Sequence, residues 1–146
     1  MCLQIETASY PPDEAATESS LRYRQENATP YFLCAVLSAT APLPSYDIIN
    51  KIDDTVTGFV CSTRCHTFTH ESMTVHVPDG SILAIHSVVV VESYRRRGIA
   101  TQMLQHYIQT IRQQQKQQYE TRISKIVLLA KAHLLSFYVN CGFQVM

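Results

Sequence analysis

The 146-residue sequence has no net charge and no long apolar run. Twelve basic residues balance twelve acidic ones, so no overall field would draw the chain to nucleic acid or to an anionic membrane. No stretch of about 18 apolar residues could span a bilayer, and the first residues lack the basic start and apolar core of a signal peptide. We therefore expect a cytoplasmic protein whose electrostatic functions come from local clusters.

The five cysteines are an odd number and follow no repeated spacing, which favours reduced thiols over a disulfide framework. The segment "CSTRCH" brings together Cys61, Cys65 and His66, three residue types that bind zinc. A tetrahedral zinc site needs a further ligand pair at similar spacing, and the sequence has none. We expect no metal in this protein.

Two well-known phosphate-binding motifs are also missing. The glycine-lysine signature of the P-loop does not occur, and the dinucleotide fingerprint would require two glycines that the sequence lacks. These absences argue against ATP in a P-loop and against NAD as ligands.

The length and the 46% hydrophobic content predict one compact domain over residues 1–146. The pattern of apolar, turn-forming and charged residues predicts a mixed α/β domain with a strand-helix-strand crossover in its second half. The first half is predicted to contain a helix from about Asp13, a hairpin of strands 31–37 and 55–63, and a long polar loop. A strand over 82–91, covered on both faces, and a helix with a buried stripe from Ala100 to Ile111 follow. The second half ends with a buried strand over 125–130 and a helix over 133–140 that buries Leu134, Leu135, Tyr138 and Val139. Gly142 is expected to end this helix in a left-handed conformation.

A cluster of positive charge lies where the valine-rich strand meets the next helix, in "VVVVESYRRRGIA". The first N–H groups of a helix have no intrahelical acceptors, and small residues such as Gly98 and Ala100 allow a ligand close to them. The neighbouring Arg95, Arg96 and Arg97 could add charged donors to a phosphate. The segment predicts an anion site suited to a pyrophosphate; the alternative is a solvated turn.

The pattern Arg95-x-x-Gly98-x-Ala100 resembles the acetyl-CoA pyrophosphate motif of the GNAT N-acetyltransferases. More narrowly, "IHSVVVVESYRRRGIATQMLQHYI" followed by "ISKIVLLAKAHLLSFYVNCGF" is similar to the arylalkylamine (serotonin) N-acetyltransferases and their fungal relatives. The similarity is densest over residues 78–143. It implies the GNAT fold, with its mixed α+β sheet, and acetyl-CoA as co-substrate.

The resemblance assigns roles to particular residues. The backbone of Val88, Val89 and Val90 would pair with the pantetheine arm as an added strand. Tyr138 matches a tyrosine that protonates the departing CoA thiolate, although by composition alone it could be a core tyrosine. The pyrophosphate would be held by Arg95, Arg96, Arg97, Gly98, Ile99, Ala100 and Thr101.

His86 is the candidate for the base path, because an amine must lose a proton before it attacks the thioester. The family has two histidines on alternate residues of this strand, and the first of these positions is Ala84 here. The relay would then have one member, or be completed by His70 or Glu71 from the loop. The alternative is that His86 bonds a backbone carbonyl and has a structural role only.

These residues together predict a monomeric acetyltransferase that moves acetyl from acetyl-CoA to a primary amine, either an arylalkylamine or a polyamine. The chain stops at Met146, where the family continues through a further strand, so it is either truncated or ends in an incomplete sheet. Two alternatives remain open at this stage: a CoA-binding or interaction module that no longer catalyses, and a peptide or protein N-acetyltransferase.

Overall fold

The computed structural model describes residues 1–37, 55–117 and 122–146. Within these ranges the chain forms four α-helices and four β-strands. In chain order they are α1 (Cys2–Ser9), α2 (Glu18–Asn27), β1 (Phe32–Leu37), β2 (Thr55–Cys65), β3 (Ile82–Val90), α3 (Ile99–Gln117), β4 (Lys125–Leu128) and α4 (Leu135–Asn140).

The strands form one mixed sheet in the order β1-β2-β3-β4. The pairs β1/β2 and β2/β3 are antiparallel, whereas β4 joins β3 in parallel after the crossover through α3. This arrangement confirms the predicted α+β class, the pairing of the first two strands and the crossover. The connection between β1 and β2, residues 38–54, lies outside the described residues.

Helices cover both faces of the sheet, so it has two hydrophobic cores. On one face α3 buries Leu104, Tyr107 and Ile111 against the sheet, which confirms the predicted stripe. On the other face α1 and α2 contribute Ile5 and Leu21, which pack with buried side chains of β2 and β3. The central β3 is therefore covered on both sides, as its apolar sequence predicts.

The N-terminal helices differ from the prediction. A helix was expected from about Asp13, but α2 begins at Glu18, where the side chain of Thr17 accepts a hydrogen bond from the Ser20 N–H at 3.2 Å. Helix α1 was not predicted, because it shows almost no amphipathic pattern and buries only Ile5 and the charged Glu6. Hydrophobic periodicity identifies helices with an apolar stripe, and α1 has none.

The C-terminal segment is less buried than predicted. Leu134, Leu135 and Val139 are 37%, 38% and 48% exposed, and Tyr138 is only half-buried. Strand β4 ends at Leu128, two residues earlier than predicted, and it is an edge strand of the described sheet. The prediction of burial was wrong for these leucines and this valine, because an apolar helical sequence alone does not show whether another element covers it.

The end of α4 confirms the predicted cap. Gly142 has a φ of 99°, in the left-handed region that favours glycine. The N–H of Phe143 donates to the carbonyl oxygen of Tyr138 at 3.1 Å, and the two rings meet edge to face with centroids 5.9 Å apart. This fold-back fixes the orientation of the Tyr138 ring.

None of the helices in the described residues combines the length and the apolar character that a membrane span requires.

Candidate functional site

The central feature of the site is the point where β3 and β4 separate. The parallel pairing runs from Ile82 to Ile85 on β3 and stops there. Directly beyond it, the register with β2 passes from Ile85 to Ser87, so His86 is the extra residue of a β-bulge. Bulges bend the strand that carries them. In the described part of the chain no strand pairs with the β4-side edge of β3 after this bulge.

This open edge of β3 exposes particular backbone groups. The carbonyl oxygen of Val90 points along it and accepts a hydrogen bond from Arg95 Nε at 2.9 Å. Because backbone groups alternate between the two sides of a strand, Val88 shares this edge, whereas the backbone of Val89 faces β2. The side chain of Val89 packs in the core under α1 and α2. Val88 and Val90 are therefore the residues that can offer hydrogen bonds to a ligand lying along the edge.

The end of α1 lies against the same edge. Arg95 donates a second hydrogen bond, from its Nη2 atom to the hydroxyl of Ser9 at 3.1 Å. Burial raises the pKa of the next residue, Tyr10, and the charge of Glu6 and the nearby Tyr138 hydroxyl raise it further. The backbone of Val88 has a smaller effect, which lowers the pKa of Tyr10. Through Arg95, the end of α1 thus contacts the open edge.

The turn over residues 95–98 leads from this edge into α3. Arg96 and Gly98 both have left-handed backbones, with φ of 62° and 77°. A Cβ atom added at Gly98 would have no other atom within 4 Å, so the turn is open at this point. The first helical hydrogen bond runs from the Gln102 N–H to the Gly98 carbonyl at 3.1 Å. The N–H groups of residues 99–101 consequently have no acceptor within the helix.

The side chains around this turn are mostly exposed. Arg96 and Arg97 reach into solvent, and the guanidinium of Arg97 lies over the ring of Tyr94, 5.6 Å from its centroid. Exposed guanidinium groups and helical N–H groups without an intrahelical acceptor are the kinds of donor that a phosphate or pyrophosphate accepts from. Arg95 differs from the other two, since its side chain is already bonded to Val90 and Ser9.

His86 lies on the face of the sheet that α1 and α2 cover. Its Nε2 atom is 2.6 Å from the hydroxyl of Thr63. Its Nδ1 atom is buried, and no residue in the described ranges forms a hydrogen bond with it. Burial, and secondly the charge of Arg24, lower the pKa of His86 to about 3. The imidazole is therefore neutral at physiological pH. It can relay a proton through its hydrogen bond more readily than it can keep one.

Glu6, which the sequence analysis did not identify, lies on the same face. Only 2% of this residue is exposed. Its Oε1 atom accepts hydrogen bonds from the Ser87 hydroxyl at 3.1 Å and from the Ala16 N–H at 3.0 Å. Its Oε2 atom is buried and has no hydrogen-bond partner among the described residues. The bulge explains how consecutive residues His86 and Ser87 both reach this side of the sheet.

Tyr138 lies on α4 and is packed against the core cluster under α3. Its ring contacts Phe137 and Phe143 edge to face, at centroid distances of 5.0 and 5.9 Å. Burial, and then the neighbouring Cys141, raise the pKa of its hydroxyl. The phenol therefore stays protonated at neutral pH and is available as a hydrogen-bond or proton donor.

The other candidate residues lie elsewhere. His70 and Glu71 are exposed on the loop before β3, and in the described residues neither forms a hydrogen bond with His86. His66 is exposed and pairs with Asp79 at 3.3 Å, while Cys61 and Cys65 are buried in β2. The described ranges contain no group of three or more side chains able to hold a metal ion.

Comparison with known proteins bears on this geometry. The model of the acetyltransferase (GNAT) family matches residues 2–143. That match covers almost the whole sequence. The chain belongs to the GNAT family. It is accordingly a GNAT acetyltransferase, of the acyl-CoA-dependent acyltransferase class EC 2.3.1. No curated protein sequence matches it.

Solved structures of GNAT proteins share the fold at low sequence identity. A GNAT-like decarboxylase, GphF, in complex with isobutyryl-CoA is 14% identical, with a TM-score of 0.59 over 75% of this chain and 52% of its own. An acetyltransferase from Trypanosoma brucei is 17% identical, with a TM-score of 0.57 over 99% and 84%. Glucosamine-6-phosphate N-acetyltransferase from Arabidopsis thaliana is 11% identical, with a TM-score of 0.57 over 99% and 82%. The chain thus spans about half of the first protein and over four fifths of the other two, and at these identities the likeness concerns the fold alone.

The burial of neutral His86 predicts a loss of stability in acid. Its native pKa lies below the usual value of 6.5, so the unfolded state binds a proton that the native state rejects as the pH falls below about 6.5. At pH 5 this difference in proton binding lowers the free energy of unfolding by about 2 kcal/mol. Denaturant unfolding at pH 7.5 and pH 5 should show this acid-dependent loss in the wild type. For His86→Gln, which keeps a polar group near Thr63, the free energy of unfolding should fall less between these pH values, by about that amount. Equal falls in the variant and the wild type would contradict the prediction.

Proposed function

We propose that this GNAT protein transfers an acetyl group from acetyl-CoA to a primary amine, by direct attack within a ternary complex. The acceptor class is an arylalkylamine or a polyamine, as the sequence resemblance implies. The observation that carries the proposal is the open edge of β3, which leads at one end into the turn over residues 95–98 with its exposed arginines.

Acyl-CoA fits the groups that this edge presents. Val88 and Val90 would pair with the amides of the pantetheine arm, while Val89 supports the strand from the core. Arg96 and Arg97, with the backbone N–H groups of residues 98–101, would hold the phosphates. Arg95 would contribute by fixing the edge, because its side chain bonds Val90 and Ser9.

The amine must be deprotonated before it attacks the thioester carbonyl. With a pKa of about 3, His86 is a poor final acceptor of the amine proton. Its imidazole and the Thr63 hydroxyl can instead relay that proton through the hydrogen bond between them. We propose Glu6 as the carboxylate that receives the proton or holds the ammonium, because its Oε2 atom has no partner in the described part of the chain. In this proposal Glu6 replaces His70 and Glu71 as the second member of the base path.

When the amine nitrogen bonds to the carbonyl carbon, the bond from carbon to sulfur breaks and the CoA thiolate leaves. Tyr138 would protonate this sulfur, since burial raises the pKa of its hydroxyl and keeps it protonated. Ile99, Ala100 and Thr101 begin α3, whose dipole favours the negative phosphates at this end.

A CoA-binding module without catalysis is the second candidate. It is favoured by Ala84, which is fully buried and cannot carry a proton where the family has a histidine. Incubation of the purified chain with acetyl-CoA and tryptamine, phenethylamine, spermidine or a short peptide would distinguish these functions. Thiol release with one of the amines is the result expected. CoA binding without release of thiol in any reaction would overturn the enzyme proposal, and release with the peptide alone would favour a protein acetyltransferase.

The phosphate-binding role of the turn predicts a specific defect in CoA affinity. Replacing both Arg96 and Arg97 by Ala removes charged hydrogen-bond donors, and the Kd for CoA should rise at least about tenfold. Arg112→Ala, on the exposed surface of α3, is the matched control and should bind CoA like the wild type. Calorimetry at two salt concentrations provides the measurement. Equal affinities for the double variant and the control would exclude the turn as the phosphate site.

The role of Tyr138 predicts a defect in turnover. Tyr138→Phe keeps the ring contacts with Phe137 and Phe143 but removes the proton donor. We expect kcat to fall about 10²-fold while the Kd for CoA changes less than about twofold. Steady-state kinetics and direct binding check this, with the melting temperature as a test of folding. Similar losses in affinity and turnover would contradict the acid role.

The role of Glu6 predicts a defect in amine acetylation. Glu6→Gln preserves the shape and can still accept from Ser87, but it has no carboxylate to receive the proton or to hold the ammonium. The value of kcat/KM for the amine should drop at least about tenfold near neutral pH. Glu26→Gln, exposed on α2, is the control and should keep the wild-type value. A wild-type kcat/KM in Glu6→Gln would rule out this role.

A further inference from the structure

A pair of thiols lies outside the proposed site, between α1 and β1. The Sγ atoms of Cys2 and Cys34 are 3.7 Å apart. We propose that this pair is a site of reversible oxidation, which reacts with a small-molecule disulfide such as glutathione disulfide to form a bond between α1 and β1. This proposal is independent of the acceptor, of the base path and of CoA binding.

The geometry suits bond formation. Cys34 lies two residues after Phe32, and strand alternation therefore puts it on the same face as Phe32, beneath α1. A disulfide has a bond length of about 2.05 Å, so the sulfur atoms must approach each other by about 1.7 Å. Cys34 is exposed and Cys2 is half-buried, which leaves their side chains room to rotate. Among the described cysteines, no other two are in contact.

An oxidant can reach the pair. The two thiols line a surface groove of about 700 Å³, together with Leu3, Leu21, Arg22 and Phe32. Of the other cysteines, Cys61 and Cys65 are buried within β2, and Cys141 lies at the end of α4. The groove therefore distinguishes Cys2 and Cys34 from the remaining thiols by access as well as by proximity.

The two thiols also differ in reactivity. The hydrogen-bond contact between the two thiols lowers the pKa of Cys2 to about 7. The same contact raises the pKa of Cys34, which remains a thiol. At neutral pH a large fraction of Cys2 is the thiolate, which is the form that attacks disulfides.

The reaction balances as two successive exchanges. The Cys2 thiolate attacks one sulfur of glutathione disulfide, and the first glutathione leaves as its thiolate. Cys34 then loses its proton to solvent and attacks Sγ of Cys2, which breaks the mixed disulfide and releases the second glutathione. Two protein thiols are oxidised by two electrons in total, and one glutathione disulfide is reduced to two glutathione thiols.

The test uses the full chain in glutathione buffers of increasing oxidised fraction. We expect intact mass to show the loss of two hydrogen atoms, peptide mapping to find Cys2 linked to Cys34, and dithiothreitol to reverse the change. Because the bond closes a loop of about 30 residues, the oxidised form should melt several degrees higher than the reduced form. Cys141→Ser, which leaves the pair intact, is the matched control and should behave like the wild type.

The single variants report on the order of the steps. Cys34→Ser should stop at a stable mixed disulfide of Cys2 with glutathione, whereas Cys2→Ser should react much more slowly. The proposal is overturned if no Cys2–Cys34 link forms at any glutathione ratio, if the link involves another cysteine, or if Cys2→Ser is oxidised as fast as the wild type.

Discussion

The separation of β3 from β4 after Ile85 is the constraint on which the rest of this structure depends. Four residue pairs hold the two strands together, and the bulge at His86 then bends β3 away from β4. The continuation of β3 keeps its antiparallel contacts with β2, so the strand remains rigid although one edge is open. A ligand can thus bind along that edge as an additional strand without displacing any strand of the described sheet.

The two faces of the sheet have different chemistry. The face under α3 is apolar around Leu104 and Ile111, and its buried Tyr107 hydroxyl lies 2.6 Å from Ser62 Oγ. The face under α1 and α2 contains Glu6 and His86, each with a buried atom that no described group satisfies. An unsatisfied buried polar atom costs about 1–3 kcal/mol. Such a cost has no structural benefit, which is why we associate this face with the acceptor chemistry.

The sequence predicted the elements that have strong local patterns. The stripe on α3, the antiparallel pairing of β1 and β2, and the glycine cap at Gly142 follow from periodicity and from residue type. The positive turn at residues 95–98 was identified from composition, but the engagement of Arg95 by Val90 and Ser9 was not, because Ser9 lies 86 residues away.

The features that the sequence did not predict depend on contacts between distant residues. Helix α1 has no apolar stripe, so only its tertiary contacts reveal it. The bulge lies in "IHSVVVV", which is apolar apart from His86 and Ser87, and nothing in this segment distinguishes His86 as an extra residue. Glu6 meets Ser87 across 81 residues, and Cys2 meets Cys34 across 32. Sequence patterns describe neighbours along one element, and these contacts join different elements.

Arg95 connects the open edge of β3 with helix α1. One guanidinium group holds both the Val90 carbonyl and the hydroxyl at the end of α1. A carbonyl oxygen has two lone pairs, so a ligand can share Val90 without expelling Arg95. Any ligand that orders this guanidinium also restrains the helix that carries Glu6. By thermodynamic linkage the effect is reciprocal, and a molecule that fixes α1 from the other side strengthens binding at the turn by the same factor.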